Sequence, residues 1–144
     1  MPLPDPRPGL VISYAYLWRR ESDDGQEEGL KDRPCAIVLA RFQDDGDTVV
    51  MVAPITHRPP GSADAAIELP FATKQRLGFD DQRSWVMVTE VNRFIWPGPD
   101  LRPISRTEPS RFDYGFLPPK LFKQIIAAMA AHQRSRRLAI LARP

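Results

Sequence analysis

Sixteen prolines are spread through 144 residues, about twice the usual ~5% share. Proline has no backbone N–H and cannot donate to a helix or sheet ladder, so so many of them imply short elements joined by stiff loops. A long helical bundle is disfavoured on this ground alone. The length suits one ordinary domain of residues 1–144, which at this size buries roughly 68–70% of its unfolded surface. A hydrophobic share of 42% and a charged share of 26% argue against disorder. The single cysteine, Cys35, cannot form an internal disulfide and is too few for the usual structural zinc sites. No window approaches ~18 consecutive apolar residues, and the start, Met1-Pro2-Leu3-Pro4-Asp5-Pro6-Arg7-Pro8, lacks an apolar signal core. The expectation is a reduced, cytoplasmic protein without a membrane span, whose residues 1–8 form a flexible proline-rich N-terminus.

Charge is unevenly placed. Residues 1–32 carry four basic and seven acidic side chains, and residues 33–144 carry sixteen and eleven. Arginine outnumbers lysine 16 to 4, and its planar fork suits bidentate phosphate contacts. A nucleic-acid partner follows from this bias, as does, equally, an arginine-rich solvated surface.

Local patterns give mostly β structure. Residues 9–18 are β-branched and aromatic, as a strand requires. An acidic stretch, residues 21–29, is too polar to pack. Residues 34–42 are nearly continuously apolar, and Asp44-Asp45-Gly46-Asp47 turns the chain into a partner strand at residues 48–53. A short strand is expected at residues 66–69, a brief helix at residues 71–77 stopped by Gly78, and a strand at residues 84–90. Residues 92–103 read as a proline-rich loop carrying two large aromatics. The only sizeable helix begins near Pro118-Pro119, where Leu121, Ile125 and Met129, flanked by Phe122 and Ile126, make an apolar stripe. Arg134, Arg136 and Arg137 suit its C-terminal dipole. These elements describe a mostly β (α+β) chain: a small, partly open barrel or curled sheet with a C-terminal helix packed against it.

Phosphate-loop, dinucleotide, zinc-protease and nucleophile-elbow motifs are all absent. What remains is spacing. Arg33 opens the second strand and Thr56 closes the third, so a hairpin of those strands sets them at one edge, with His57 and Arg58 continuing the rim. A guanidinium, a hydroxyl and a group titrating near neutrality together suit phosphate chemistry. Blander readings stand beside this one: Arg33 pairing with Asp32 or the acidic stretch, Thr56 satisfying a strand-end backbone group, and His57 as an ordinary loop residue. Trp18, Trp85 and Trp96 are either packing residues or base-stacking platforms.

In order along the chain, Gly9-Leu10-Val11-Ile12, Lys31-Asp32-Arg33-Pro34-Cys35-Ala36-Ile37-Val38 and Val52-Ala53-Pro54-Ile55-Thr56 resemble the MazF/PemK-type toxins of bacterial toxin–antitoxin pairs. Leu77-Gly78-Phe79, Ser84-Trp85-Val86 and Tyr114-Gly115-Phe116-Leu117-Pro118 fall in the expected sequence, and Asn92-Arg93-Phe94-Ile95-Trp96-Pro97-Gly98 resembles a PemK-like branch. The resemblance spans about residues 9–131. It implies a small SH3-like barrel with a C-terminal helix, a homodimer, and an endoribonuclease on single-stranded RNA that needs no cofactor or metal. It further implies a small antitoxin protein as partner. In such chemistry the 2′-hydroxyl attacks the adjacent phosphate, leaving 2′,3′-cyclic phosphate and 5′-hydroxyl ends. Arg33 and Thr56 match the family's arginine and threonine. Three positions depart from it: Glu90 takes an aspartate's place while Val88 takes an arginine's, and His57 stands where a serine commonly follows the threonine. His57 or Glu90 is therefore expected to handle protons, with Lys31, Arg58, Trp18, Arg93 and Trp96 contacting substrate. The acidic stretch would repel RNA near the mouth. Two other readings keep the fold: a gyrase-poison-like toxin, and a non-catalytic module binding an extended peptide through Tyr14, Tyr16, Trp18 and Trp96.

Overall fold

The computed structural model describes residues 3–23, 25 and 31–144. Most of the acidic stretch, including Asp24, Glu27 and Glu28, lies outside the described residues, as do Met1 and Pro2. Chain order is β1 (Leu10–Tyr14), α1 (Arg19–Asp23), β2 (Arg33–Phe42), β3 (Thr48–Thr56), β4 (Ala66–Glu68), α2 (Phe71–Leu77), β5 (Trp85–Met87), β6 (Glu90–Ile95), β7 (Asp113–Phe116), α3 (Pro119–Arg134) and β8 (Ala139–Ala142). The sheet is mostly antiparallel, ordered β4-β5-β3-β2-β1-β7, with β6 on β3 and β8 on β6. These pairings do not close it into a ring. The mostly β, α+β architecture with a C-terminal helix is as the sequence implies. No helix among the described residues is long and apolar enough to cross a membrane.

Period-two alternation sorts the strands' side chains into two cores. The register pairs Val11 with Ala36 and Ala36 with Ala53, and these three face the same core as Leu121, Ile125 and Met129 of α3. Small alanines there leave room for the larger helix side chains. Burying each of those three contributes roughly 1.5–3 kcal/mol. The opposite face gathers Leu10, Ile12, Tyr14, Cys35, Ile37, Val50, Val52 and Phe94. All five β1 residues are buried because both faces are covered. An irregularity between Ile37 and Leu39 inserts an extra residue into β2 and bends the sheet.

β3 is the branch point. One edge pairs with β2, while the other is shared: Val49–Val52 pair with β6, and Ile55 and Thr56 pair with β5. The strand expected over residues 84–90 is thus broken, its first part closing the Thr56 end and its last residue opening β6. The expected loop at residues 92–103 is corrected in its first part, where β6 runs on to Ile95 with Val91 and Phe94 buried on opposite faces. Proline resumes only at Pro97. β8 was not anticipated; it pairs parallel with β6. Helix α2 ends as expected at Gly78, whose φ of 78° is the left-handed cap conformation that glycine adopts at least cost.

Candidate functional site

The β2–β3 register pairs Cys35 with Pro54. Continued by two residues it sets Arg33 across from Thr56, as the hairpin arithmetic requires. Both line a cleft of about 940 Å³ together with Lys31, His57, Arg58 and Trp18, so six of the nine expected site residues converge. Tyr16, Phe79, Ile104 and Tyr114 supply its aromatic and apolar walls.

The cleft is cationic by the way its charges are partnered. Arg20, Lys31, Arg33 and Arg58 make no ion pair with any described residue. Its three acids are each engaged. Glu21 accepts the backbone N–H of Trp18 at 3.0 Å, Asp32 lies 3.7 Å from Arg102, and Asp80 lies 3.1 Å from His57 Nε2. Asp32 is therefore directed to Arg102 and not to Arg33. Partial burial holds the Arg33 guanidinium below its ordinary value, so its charge is kept at a cost. Its Nε and the Trp18 Nε1 are buried without an acceptor among the described residues. Unpaired buried donors are uncommon in folded proteins.

Thr56 fulfils the blander expectation and retains the other. Its Oγ1 accepts the Arg58 backbone N–H at 3.1 Å, an ordinary hydroxyl turn. A hydroxyl has one proton to donate as well, and that proton is not used by this bond. His57 is more constrained than a loop residue needs to be. Its Nδ1 lies 3.0 Å from the Arg83 carbonyl oxygen and 3.2 Å from Ser84 Oγ, while Nε2 faces Asp80. Both ring nitrogens are thus occupied within the chain.

Trp18 is 5% exposed, and Arg20 and Arg33 lie over its ring, so the indole backs these arginines rather than offering a platform to a base. Glu90 does not line the cleft. Its Oε1 accepts from Tyr16 Oη and from the Arg19 backbone N–H, both at 3.0 Å, and burial raises its carboxyl above the ordinary range. It ties the start of α1 to β6. Arg93 and Trp96 lie toward the other end of β3: Arg93 pairs in register with Met51, and the Trp96 N–H donates to the Thr48 carbonyl. Thr48 and Thr56 are eight residue steps apart, roughly 26 Å at about 3.3 Å per residue. The two residues thus belong to another region of the surface, where Arg93 lines a smaller cleft of about 460 Å³ with Arg41 and Gln133.

Sequence reasoning missed Arg20, Asp80 and Ser84. Arg20 was signalled by its place two residues after Trp18; nothing local pointed to the other two. Cys35 is fully buried, and burial pushes its thiol well up, so it is a packing residue. Among the described residues no three His, Cys, Asp or Glu side chains gather as a metal site requires. Compared with models of known protein families and with curated proteins, the chain finds no match.

Proposed function

We propose that this chain is a metal-independent endoribonuclease of the MazF/PemK type, built on a small SH3-like barrel and acting on single-stranded RNA. One observation carries the reading. Arg33 and Thr56, each two residues beyond the Cys35–Pro54 pair that ends the β2–β3 register, line one cleft in which four cations make no ion pair with any described residue. An unpaired guanidinium held at a desolvation cost is suited to meet charge that builds on phosphorus.

In this chemistry the 2′-oxygen attacks phosphorus, the bond from phosphorus to the 5′-oxygen breaks, and a 2′,3′-cyclic phosphate remains. One proton leaves the 2′-oxygen and one reaches the departing 5′-oxygen. Arg33 stabilises the non-bridging oxygens, and the Thr56 hydroxyl donates to one of them. His57, the imidazole of the cleft, takes the 2′-proton by exchanging its Asp80 contact for substrate, and solvent water supplies the proton to the departing 5′-oxygen. Glu90, outside the cleft, has no part in proton transfer. Deoxyribose lacks the nucleophile, so DNA is bound without being cut. A small antitoxin with an acidic segment, covering the cationic cleft, and a homodimeric state complete the reading.

A peptide-binding module is less well supported. It would present Tyr14, Tyr16, Trp18 and Trp96 to a ligand, and the first three are 0%, 1% and 5% exposed, Trp96 alone being half-buried. The test incubates the protein with a long unstructured RNA and excess EDTA beside an Arg33→Ala control. Fragments ending in 2′,3′-cyclic phosphate, absent from the control, support the reading. Intact RNA at stoichiometric protein overturns it.

A further inference from the structure

Two guanidinium groups rest against one buried indole. Arg20 Cζ lies 4.7 Å and Arg33 Cζ 5.0 Å from the Trp18 ring centroid. They come from different elements, α1 and the first residue of β2, and both line the cleft. The adjacent Arg19 behaves otherwise, lying 3.9 Å from Asp23 one helical turn away. Arg20 makes no ion pair with any described residue, and at Arg33 the repulsion from Arg20 stands beside an attraction from Glu21, which lines the same cleft. A cation–π contact orients such groups without relieving their mutual repulsion.

We infer that Arg20 and Arg33 form a clamp on a single phosphodiester group, with Trp18 as their shared backing. The two non-bridging oxygens of a phosphodiester can each meet one guanidinium fork. Thr56, Lys31 and Arg58 continue the donor surface beyond that point, which suits an extended polyanion better than a lone carboxylate. The inference rests on the cleft being the RNA site proposed above and adds Arg20 as a substrate-binding residue.

Binding without cleavage separates the two ideas. A mixed-sequence 2′-O-methyl oligoribonucleotide cannot be cut by 2′-hydroxyl attack, and its affinity is measured by fluorescence anisotropy from 50 to 200 mM salt. Arg20→Gln and Arg33→Gln are each expected to weaken binding about tenfold, as loss of a charged hydrogen bond does. The slope of log affinity against log salt should flatten by about 0.7 in each single variant, and by no more in the double variant, because one phosphate is lost in all three. Arg19→Gln should change neither quantity. Circular dichroism melts check that the variants fold. Parental affinity in Arg20→Gln overturns the clamp, as does a double variant whose loss is the product of the singles, or a parent that does not bind. The expected binding pattern in a protein that leaves ordinary RNA intact would remove the nuclease reading and keep the clamp.

Discussion

Arg33 and Arg143 both lie by the end of β1, one in register with Tyr14 and the other bonded to the Ala15 carbonyl, and illustrate two uses of an arginine. Arg143 follows β8, and its side chain is 2% exposed. Its Nη1 donates to the Ala15 carbonyl at 3.1 Å and to Asn92 Oδ1 at 3.3 Å, and its Nη2 to Asp100 Oδ2 at 3.0 Å. Asn92 in turn exchanges two hydrogen bonds with the backbone of Leu17. That knot holds the residues after β1 in place and so sets Trp18 at the cleft. Arg33 is only half-buried, yet among the described residues it meets no acid and no hydrogen-bond acceptor, only an indole. Each leaves Nε unsatisfied, so the difference lies in the terminal nitrogens. At Arg143 both terminal nitrogens are engaged; at Arg33 they meet no acceptor among the described residues.

The comparison can be broken most forcefully at Arg143. Arg143→Ala leaves the buried Asp100 carboxylate with only its 3.9 Å contact to Arg102, and should cost about 3–5 kcal/mol. A melting temperature lowered by about 10–15 °C is the matching readout. If Arg143→Ala melts like the parent, the knot is not structural. Arg33→Ala should do the reverse. Cleavage is expected to fall by about 10²–10³, as on loss of one preorganised donor to the reacting group, while the melting temperature stays near that of the parent. A large stability loss there would class Arg33 with Arg143. Thr56→Val keeps the shape and removes the hydroxyl; initial cleavage rates should fall about tenfold, the scale of one hydrogen bond to a charged group.

Glu90→Gln should be the mildest change. Burial raises the folded carboxyl above its unfolded value, so the folded state holds its proton more tightly. The resulting stability is fully present below the unfolded value, near 4.5, and is lost as pH rises through the folded one. Glutamine has no such loss, and its amide oxygen can still accept from Tyr16 and Arg19. In urea titrations the variant should match the parent at low pH and exceed it by less than about 1 kcal/mol at neutral pH. Cleavage should be unchanged; a large loss would return proton transfer to Glu90.

Much of this arrangement was legible in the residues. The turn at Asp44–Asp47 with apolar runs on either side dictates an antiparallel pair, and counting along it brings Arg33 to Thr56. The stripe of Leu121, Ile125 and Met129 likewise identifies the buried face of α3. β6 was masked because Asn92 and Arg93 are polar and prolines follow closely. Asn92 is nonetheless fully buried, as its amide is satisfied by Leu17, 75 residues earlier. β8 is four residues in an arginine-rich setting and exists as a strand only because β6 offers it an edge.

The sequence by itself determined the β-rich class, the hairpin and the placing of Arg33 and Thr56 on one cleft, because alternation and turn chemistry act over a few neighbouring residues. Tertiary structure alone decided which charges are paired. Asp32 goes to Arg102, Asp80 to His57 and Asp100 to Arg143, leaving Arg20 and Arg33 together on Trp18. Pairing depends on distances across the folded chain, and a charge written in the sequence does not say which partner will reach it.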